Sequence, residues 1–397
     1  MDYLESLPIV ERARALLREW DDEILAELLE LVQVPAPTFE EGTRASELIE
    51  RFRALGVEGV HLDEVGNVLA TVTEGDGESP PILVAAHLDT VFDIETDLRP
   101  RQVGERYYVP GISDNTRGLV ALLALARLIR ELDLETVHPL IFVGTVGEEG
   151  TGDLRGVKHL FREGSHWRDA AAFIAVDGTG SRRIVNRAIG SRRLRLTIEG
   201  PGGHSWADFG RVNPIVAASQ AIADFGRYEL PDSPRTTLSV GRIGGGTSVN
   251  AIPEKAWFEL DLRSESGTEL DRIESFVRDV IEEAIESVDR DRRGGTPALR
   301  HSIETIGDRP AGVTPDDAPL VEVASAATRA IGEVPELAAS STDANVPISI
   351  GLPAVTLGAG GLSGGAHTLE EWYENEGGSA GLERLLLTLF GIGGLVS

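Results

Sequence analysis

Cysteine does not occur anywhere in this chain. Its absence excludes disulfides, thiol nucleophiles and cysteine-ligated metal, so any metal must sit on histidine, aspartate or glutamate. Lysine is nearly missing as well: Lys158 and Lys255 are the only two among 37 basic residues, set against 65 acidic ones for a formal charge of −28. Phosphate contacts need basic patches, so nucleic-acid binding is excluded as a function class. Long apolar runs are also absent. The longest, Gly118 to Ala126, falls far short of the ~20 residues that cross a bilayer. The acidic start Met1-Asp2-Tyr3-Leu4-Glu5 carries no signal-peptide pattern. The expectation is a cytoplasmic protein with neither a membrane nor a nucleic acid as partner.

A charge of −28 makes a compact chain repel itself unless salt screens the repulsion. Adaptation to molar salt, a halophilic habit, is the expected consequence. Melting curves in dilute buffer and in concentrated salt check it. The melting temperature is expected to climb with salt, and full stability in dilute buffer would reject the idea.

What is present is an alternation of helical periodicity and short apolar runs over 397 residues, enough for two domains. The spacing predicts helices over Ile9 to Val34, Thr43 to Leu55, Thr116 to Glu131 and Leu154 to Arg162. It predicts buried strands at Val68 to Val72, Ile82 to Ala86, Pro139 to Val146 and Ala170 to Val176. Strands alternating with helices indicate an α/β fold whose sheet is mostly parallel and flanked by helices. The pattern then changes. Strands at Arg193 to Glu199, Thr236 to Arg242, Ala256 to Arg263 and Ala298 to Ile306, with helices Asn213 to Tyr228 and Glu269 to Val288, give the order βαββαβ. That is a ferredoxin-like α+β unit. Helix Ala318 to Ile331, strand Ala354 to Leu357 and a helix around Ala380 to Phe390 resume the first pattern. The expected organisation is one α/β domain, residues 1–190 and 308–397, interrupted by an insertion at 191–307. The glycine-rich stretches near 244–246 and 358–365 do not form GxGxxG between a strand and a helix, which argues against a dinucleotide site.

Chemistry concentrates at the ends of the predicted strands. Glu148 and Glu149 close an apolar run and enter a turn between Gly147 and Gly150. Adjacent carboxylates repel, and both stay ionised only beside a cation. One could then hold a metal while its neighbour moves protons. His87 and Asp89 follow another strand, two residues apart and so on one face, where Asp89 can hydrogen-bond and orient His87. Asp114 precedes a helix, Asp177 follows a buried strand, and His367 lies in a glycine-rich turn. Each residue alone has an ordinary explanation: a helix cap, a structural histidine, a solvated acid pair. Their joint appearance at strand ends, where open α/β sheets place their sites, points to a metal-dependent centre.

The ordered set His87-Leu88-Asp89-Thr90-Val91, Gly111-Ile112-Ser113-Asp114-Asn115, Gly147-Glu148-Glu149-Gly150, Asp177-Gly178 and His367 resembles one family. It is the co-catalytic zinc peptidase and amidohydrolase family containing peptidase T, carnosinase-like dipeptidases, glutamate carboxypeptidase, aminoacylase and succinyl-diaminopimelate desuccinylase. The resemblance runs over essentially the whole chain. It implies two Zn²⁺ per subunit, with Co²⁺ or Mn²⁺ as alternatives. Asp114 would bridge them, His87 and Asp177 completing one site and Glu149 and His367 the other, with Glu148 as general base and Asp89 beside His87. It also implies a cis Asp114–Asn115 bond. In the insertion, Gly202-Gly203-His204-Ser205 resembles the family's lid motif, so the inserted unit would serve as lid and dimerisation domain. His204 would reach the partner subunit's site in a homodimer and stabilise the oxyanion. Asn250, in the run Gly245 to Pro253, would contact substrate, and Arg263, in Asp261-Leu262-Arg263, would hold a carboxylate. The run Ser341 to Asn345 resembles a further substrate-side loop. Aspartate at position 177 resembles the peptidase T and dipeptidase branches, whereas the carboxypeptidase, desuccinylase and aminoacylase branches usually carry glutamate there, which favours short peptides as substrates. An N-acyl amino acid is the alternative substrate, and a non-catalytic peptide binder on the same fold is the reading from another class.

Overall fold

The apolar runs of the first domain pair into a single sheet. The computed structural model describes residues 1–293 and 295–396. Its contacts divide the chain into two compact units: Met1–Ala188 with Val313–Ser397, and Ile189–Gly312, which interrupts the first in sequence. The first unit contributes strands β1 (Val68–Thr73), β2 (Ile82–His87), β3 (Leu140–Thr145), β4 (Ala172–Val176) and β5 (Arg183–Ala188). The inserted unit supplies β6 (Gly190–Glu199), β7 (Thr236–Gly245), β8 (Lys255–Ser264) and β9 (Arg300–Arg309). The first unit then resumes with β10 (Glu336–Ser340) and β11 (Ala354–Leu357).

In the first unit the strands lie in the order β1-β3-β2-β4-β11-β5, with β10 beside β5. The four central strands β3, β2, β4 and β11 are mutually parallel. The sheet turns antiparallel at its flanks, where β1 meets β3 and β5 meets β11. The centre is buried on both faces, which is why its strands read as unbroken apolar runs. Val84, Ala86, Phe142 and Ile174 point to one side, towards Leu119, Leu122 and Val120 of the helix Arg117–Glu131. Leu83, Ala85, Val143 and Phe173 point to the other, onto Val157, Leu160 and Phe161.

The expected helix from Ile9 to Val34 is two, Pro8–Glu19 and Asp21–Leu31, meeting at Trp20. Arg18 closes the first, and Asp21, Asp22 and Glu23 open the second, so each end carries the charge that suits its dipole. Strands β5 and β10 were not legible in the sequence. Asn186 interrupts the apolar character of β5, and Glu336-Leu337-Ala338-Ala339-Ser340 contains no β-branched or aromatic residue to mark it as a strand.

The inserted unit is a four-stranded antiparallel sheet in the order β7-β8-β6-β9. One face packs on the helices Pro214–Asp224 and Gly267–Arg290, through Leu194, Leu196, Phe258 and Leu260 against Ile273, Val277 and Ile281. Both helices have side-chain caps: Asn213 accepts from the Ile215 N–H, and Ser266 from the Glu269 N–H. The opposite face carries ion pairs, such as Arg195 with Glu259. This alternation of apolar and charged positions matches a sheet covered on one side only.

A close approach in the first unit sets up a stability prediction. Gly118, in the first turn of Arg117–Glu131, packs where a Cβ would meet Asn115 Oδ1 at 2.3 Å and the Val176 carbonyl at 2.6 Å. Gly118→Ala is expected to destabilise the protein by about 1–3 kcal/mol despite alanine's better helix propensity. Urea unfolding measures it, and an unchanged or raised midpoint would contradict the packing described.

Candidate active site

Four loops leave the carboxyl ends of the parallel strands, and each delivers a polar group to one place. His87 is the last residue of β2 and is buried. Its ring Nδ1 lies 3.0 Å from the main-chain carbonyl of Asp89, an acceptor that orients the ring so that Nε2 faces the carboxylates. His87 Nε2 lies 2.9 Å from Asp114 Oδ1 and 3.9 Å from Asp177 Oδ1. Asp177 directly follows β4. Asp114 sits in the turn Ile112–Thr116, ahead of the helix, and the Asp114–Asn115 bond is cis. His367, on the long loop after β11, places Nε2 at 3.1 Å from Asp114 Oδ2 and 2.9 Å from Glu149 Oε1. It adopts a left-handed backbone with φ of +63°, a conformation that costs a non-glycine residue roughly 1–2 kcal/mol. Such outliers persist where the surroundings over-determine them, as in ligand clamps.

Asp89 stands beside His87 as the sequence suggests, and does a second task besides. Its carboxylate stands 3.6 Å from His87 Nδ1, beyond hydrogen-bond range, and its carbonyl takes that contact instead. The carboxylate turns to the glutamate pair: Oδ1 accepts from the Glu148 N–H at 2.9 Å and Oδ2 from the Glu149 N–H at 3.0 Å. Thr38 Oγ1 donates a third bond. The tight turn at Gly147 aims both N–H groups at this one acceptor. Asp89 thus fixes the two glutamates through their backbone.

Three overlapping groups bring potential ligand atoms within 4.8 Å of one another: His87, Asp114 and Asp177; Asp114, Glu149 and His367; and His87, Glu148 and Glu149. Four carboxylates and two imidazoles therefore share one small volume. Burial, and then the neighbouring Asp114 charge, push the Asp177 carboxyl up to about 7. Asp114 is buried too, which would raise it, yet contacts with His367 and His87 hold it well below the usual carboxylate range. His367 is raised to about 10 by Asp114 and then Glu149. The donor set fits divalent cations: nitrogen and oxygen ligands only, in two sets of three that share Asp114. Another group, Asp63, Glu64 and His159, places His159 Nε2 at 2.8 Å from Glu64 Oε2.

Three further candidates lie in the inserted unit. His204 and Asn250 are neighbours there: His204 pairs with Ala251, and the Ser205 N–H donates to the Asn250 carbonyl. His204 is exposed, and its Nδ1 accepts from the Trp206 N–H. Arg263, on β8, donates through Nε to Asp261 at 2.6 Å. In the run Ser341 to Asn345, which belongs to the first unit, Ser341 is half-buried and Thr342, Asp343 and Asn345 are buried. Asp343 is 4% exposed and Asn345 0%, with Thr145 donating to Asp343 and Asn345 accepting from the Thr342 N–H.

Sequence reasoning missed two sets of supporting groups. Buried Arg44 donates to the Leu88 and Val34 carbonyls, Arg117 to those of Ala359 and Gly378, and Arg384 to those of Gly358 and Arg183. The planar guanidinium suits this bracing of loops around the centre, because one side chain reaches several acceptors. The second is Glu371, wholly buried beneath Asp114. No periodicity marks either set; only distant chain crossings reveal them.

An α/β sheet whose strand ends gather such a donor set defines the class of metal-dependent hydrolases. The chain belongs to the peptidase family M20/M25/M40, whose sequence model matches residues 83–389. It is 27% identical to the succinyl-diaminopimelate desuccinylase of Corynebacterium glutamicum over 339 residues, which span 83% of this chain and 86% of that one. Among solved structures it is similar to a tripeptidase from Staphylococcus aureus, with TM-score 0.78, 25% identity, and coverage of 94% of this chain and 98% of that one. It is also similar to the aminopeptidase PepT of Bacillus cereus, with TM-score 0.74, 26% identity and the same coverage.

Proposed function

We propose that the protein hydrolyses peptide bonds in short peptides, using two zinc ions held by its first unit. The observation that carries this reading is the Asp114 carboxylate, whose oxygens face different histidines: Oδ1 lies 2.9 Å from His87 Nε2, and Oδ2 3.1 Å from His367 Nε2. His87, Asp114 and Asp177 would hold one ion; Asp114, Glu149 and His367 would hold the other. Cobalt or manganese could replace zinc in such a nitrogen and oxygen set. When bound, the ions polarise the scissile carbonyl and make water a usable nucleophile at neutral pH.

The protein's own residues do the rest. Glu148 takes a proton from the attacking water and passes it to the leaving amine nitrogen, so one carboxylate serves first as base and then as acid. Asp89 holds the Glu148 and Glu149 backbone so that base and ligand keep separate positions. His204 donates to the developing oxyanion. It does so in the partner subunit's site, so the working form is a homodimer. Asn250 contacts the peptide, and Arg263 offers its terminal nitrogens to a substrate carboxylate. The setting proposed is the cytoplasm of a salt-adapted cell.

Removal of an acyl group from an amino acid is the second reading, favoured by the likeness to the desuccinylase. Asp177 and the similarity to the tripeptidase favour peptides. A peptide-binding protein without turnover would have no use for a buried base at position 148. A panel of dipeptides, tripeptides and N-acyl amino acids, assayed at high salt with each metal added, tests the assignment. Peptides are expected to be the better substrates. The reverse ranking would transfer the assignment to deacylation, and peptide binding without any turnover would leave a binding protein.

A further inference from the structure

Glu371 lies four residues beyond His367 and is 0% exposed. Its side chain crosses to the turn that carries Asp114. Oε1 accepts from the Ser113 N–H at 2.9 Å, the Ser113 hydroxyl at 2.6 Å and the Asp114 N–H at 3.1 Å, while Oε2 accepts from the Gly111 N–H at 2.8 Å. Three backbone donors of one turn, from Gly111, Ser113 and Asp114, thus converge on a single carboxylate, an anion-holding concavity of N–H groups. Gly111 reaches this shape in a left-handed conformation with φ of +79°, and a Cβ there would meet Thr90 Cγ2 at 2.8 Å. The main chain of Glu371 is anchored as well: its N–H donates to the Thr368 carbonyl, and its own carbonyl accepts from the Val109 N–H.

A buried carboxylate is expensive to keep ionised, and burial pushes Glu371 above its ordinary value. The four bonds offset that cost only if the Gly111–Asp114 turn holds its shape. Carboxylate and turn therefore fix each other. The same residue closes the Thr368–Glu371 turn that follows His367. One side chain consequently ties together the two loops whose Asp114 and His367 atoms face each other at 3.1 Å.

We propose that Glu371 is a positioning residue for metal binding, presetting Asp114 and His367 at the spacing that two cations require. The inference rests on reading Asp114 as the shared ligand. It predicts that the isosteric E371Q, which sets an amide N–H₂ against a backbone or hydroxyl donor, weakens metal binding about 10–100-fold, the usual effect of losing a partner behind the ligands. The measurement is competition of the full-length protein with a chromophoric chelator for cobalt and for zinc. The melting temperature of the metal-free protein is recorded alongside. A purely structural role would lower that temperature and leave the affinity of the folded molecules at the parental value, which would overturn the proposal.

Should E371Q fail to fold, S113A decides. It removes one hydroxyl donor to Oε1 and no ligand, and is expected to weaken metal binding by a smaller factor; parental affinity would again overturn the proposal. D114N measured in parallel separates the two levels. Weak binding in D114N with parental binding in E371Q sinks only this inference. Parental binding in D114N sinks the reading of the centre itself.

Discussion

Replacing Glu148 by glutamine is expected to lower kcat by about 10²–10⁴-fold, the range that a positioned acid–base group contributes, while both metal ions remain bound. The amide has the shape of the carboxylate but can neither take the water's proton nor return it to the leaving nitrogen. Glu148 belongs to the group with His87 and Glu149, yet the two three-ligand sets that share Asp114 do not include it. Loss of turnover without loss of metal is therefore the signature of its role. Steady-state kinetics on a good peptide, paired with metal analysis of the same sample, provides the check. Unchanged turnover would remove Glu148 from the mechanism. Lost metal would make it a ligand instead.

The second large effect belongs to Asp114. Because its two oxygens face different histidines, D114N should weaken both ions together, whereas D177N should release one and keep the other. The ions supply several kcal/mol of transition-state stabilisation, so losing both should slow hydrolysis by at least about 10³-fold. Metal stoichiometry across the two variants is the discriminating measurement. An Asp114 variant that loses one ion and retains the other would show that the carboxylate is not shared. Activity that survived thorough chelation would remove the metals from the reaction altogether.

Much of this centre was legible because its residues lie at the ends of apolar runs. Ile82 to Ala86 and Ala170 to Val176 declare themselves as buried strands, and whatever polar group follows such a strand stands at the edge of the sheet. His87 and Asp177 were found that way. The hidden parts depend on contacts between distant segments. Asp89 was read as the partner of His87 because they are two residues apart, and its carboxylate does stand 3.6 Å from that ring; what the spacing could not show is that it also takes the N–H groups of Glu148 and Glu149, some 60 positions away. Glu371 bonds to a turn about 260 positions earlier. Arg44, Arg117 and Arg384 look like surface charges in a chain so rich in arginine, and only burial shows them to be braces. Strand β10 was hidden for another reason: a segment without β-branched or aromatic residues becomes a strand there because β5 is available to pair with it, a tertiary effect that local preference does not encode.

The strand order of the first unit also bears on how the protein is made. β4 and β5 are close in sequence, yet β11 lies between them, parallel to one and antiparallel to the other. While a ribosome is still translating the insertion, those two strands have no shared neighbour and their facing edges stay unpaired, the kind of exposure that invites aggregation. The inserted unit, whose four strands and two helices come from one continuous stretch, can fold in the meantime. The gap closes only when residues 354–357 emerge, and His367 follows ten residues later. The segment that seals the sheet is thus followed by the last of the proposed ligands, so a product truncated before it would lack both a closed sheet and the full set of candidate ligand residues.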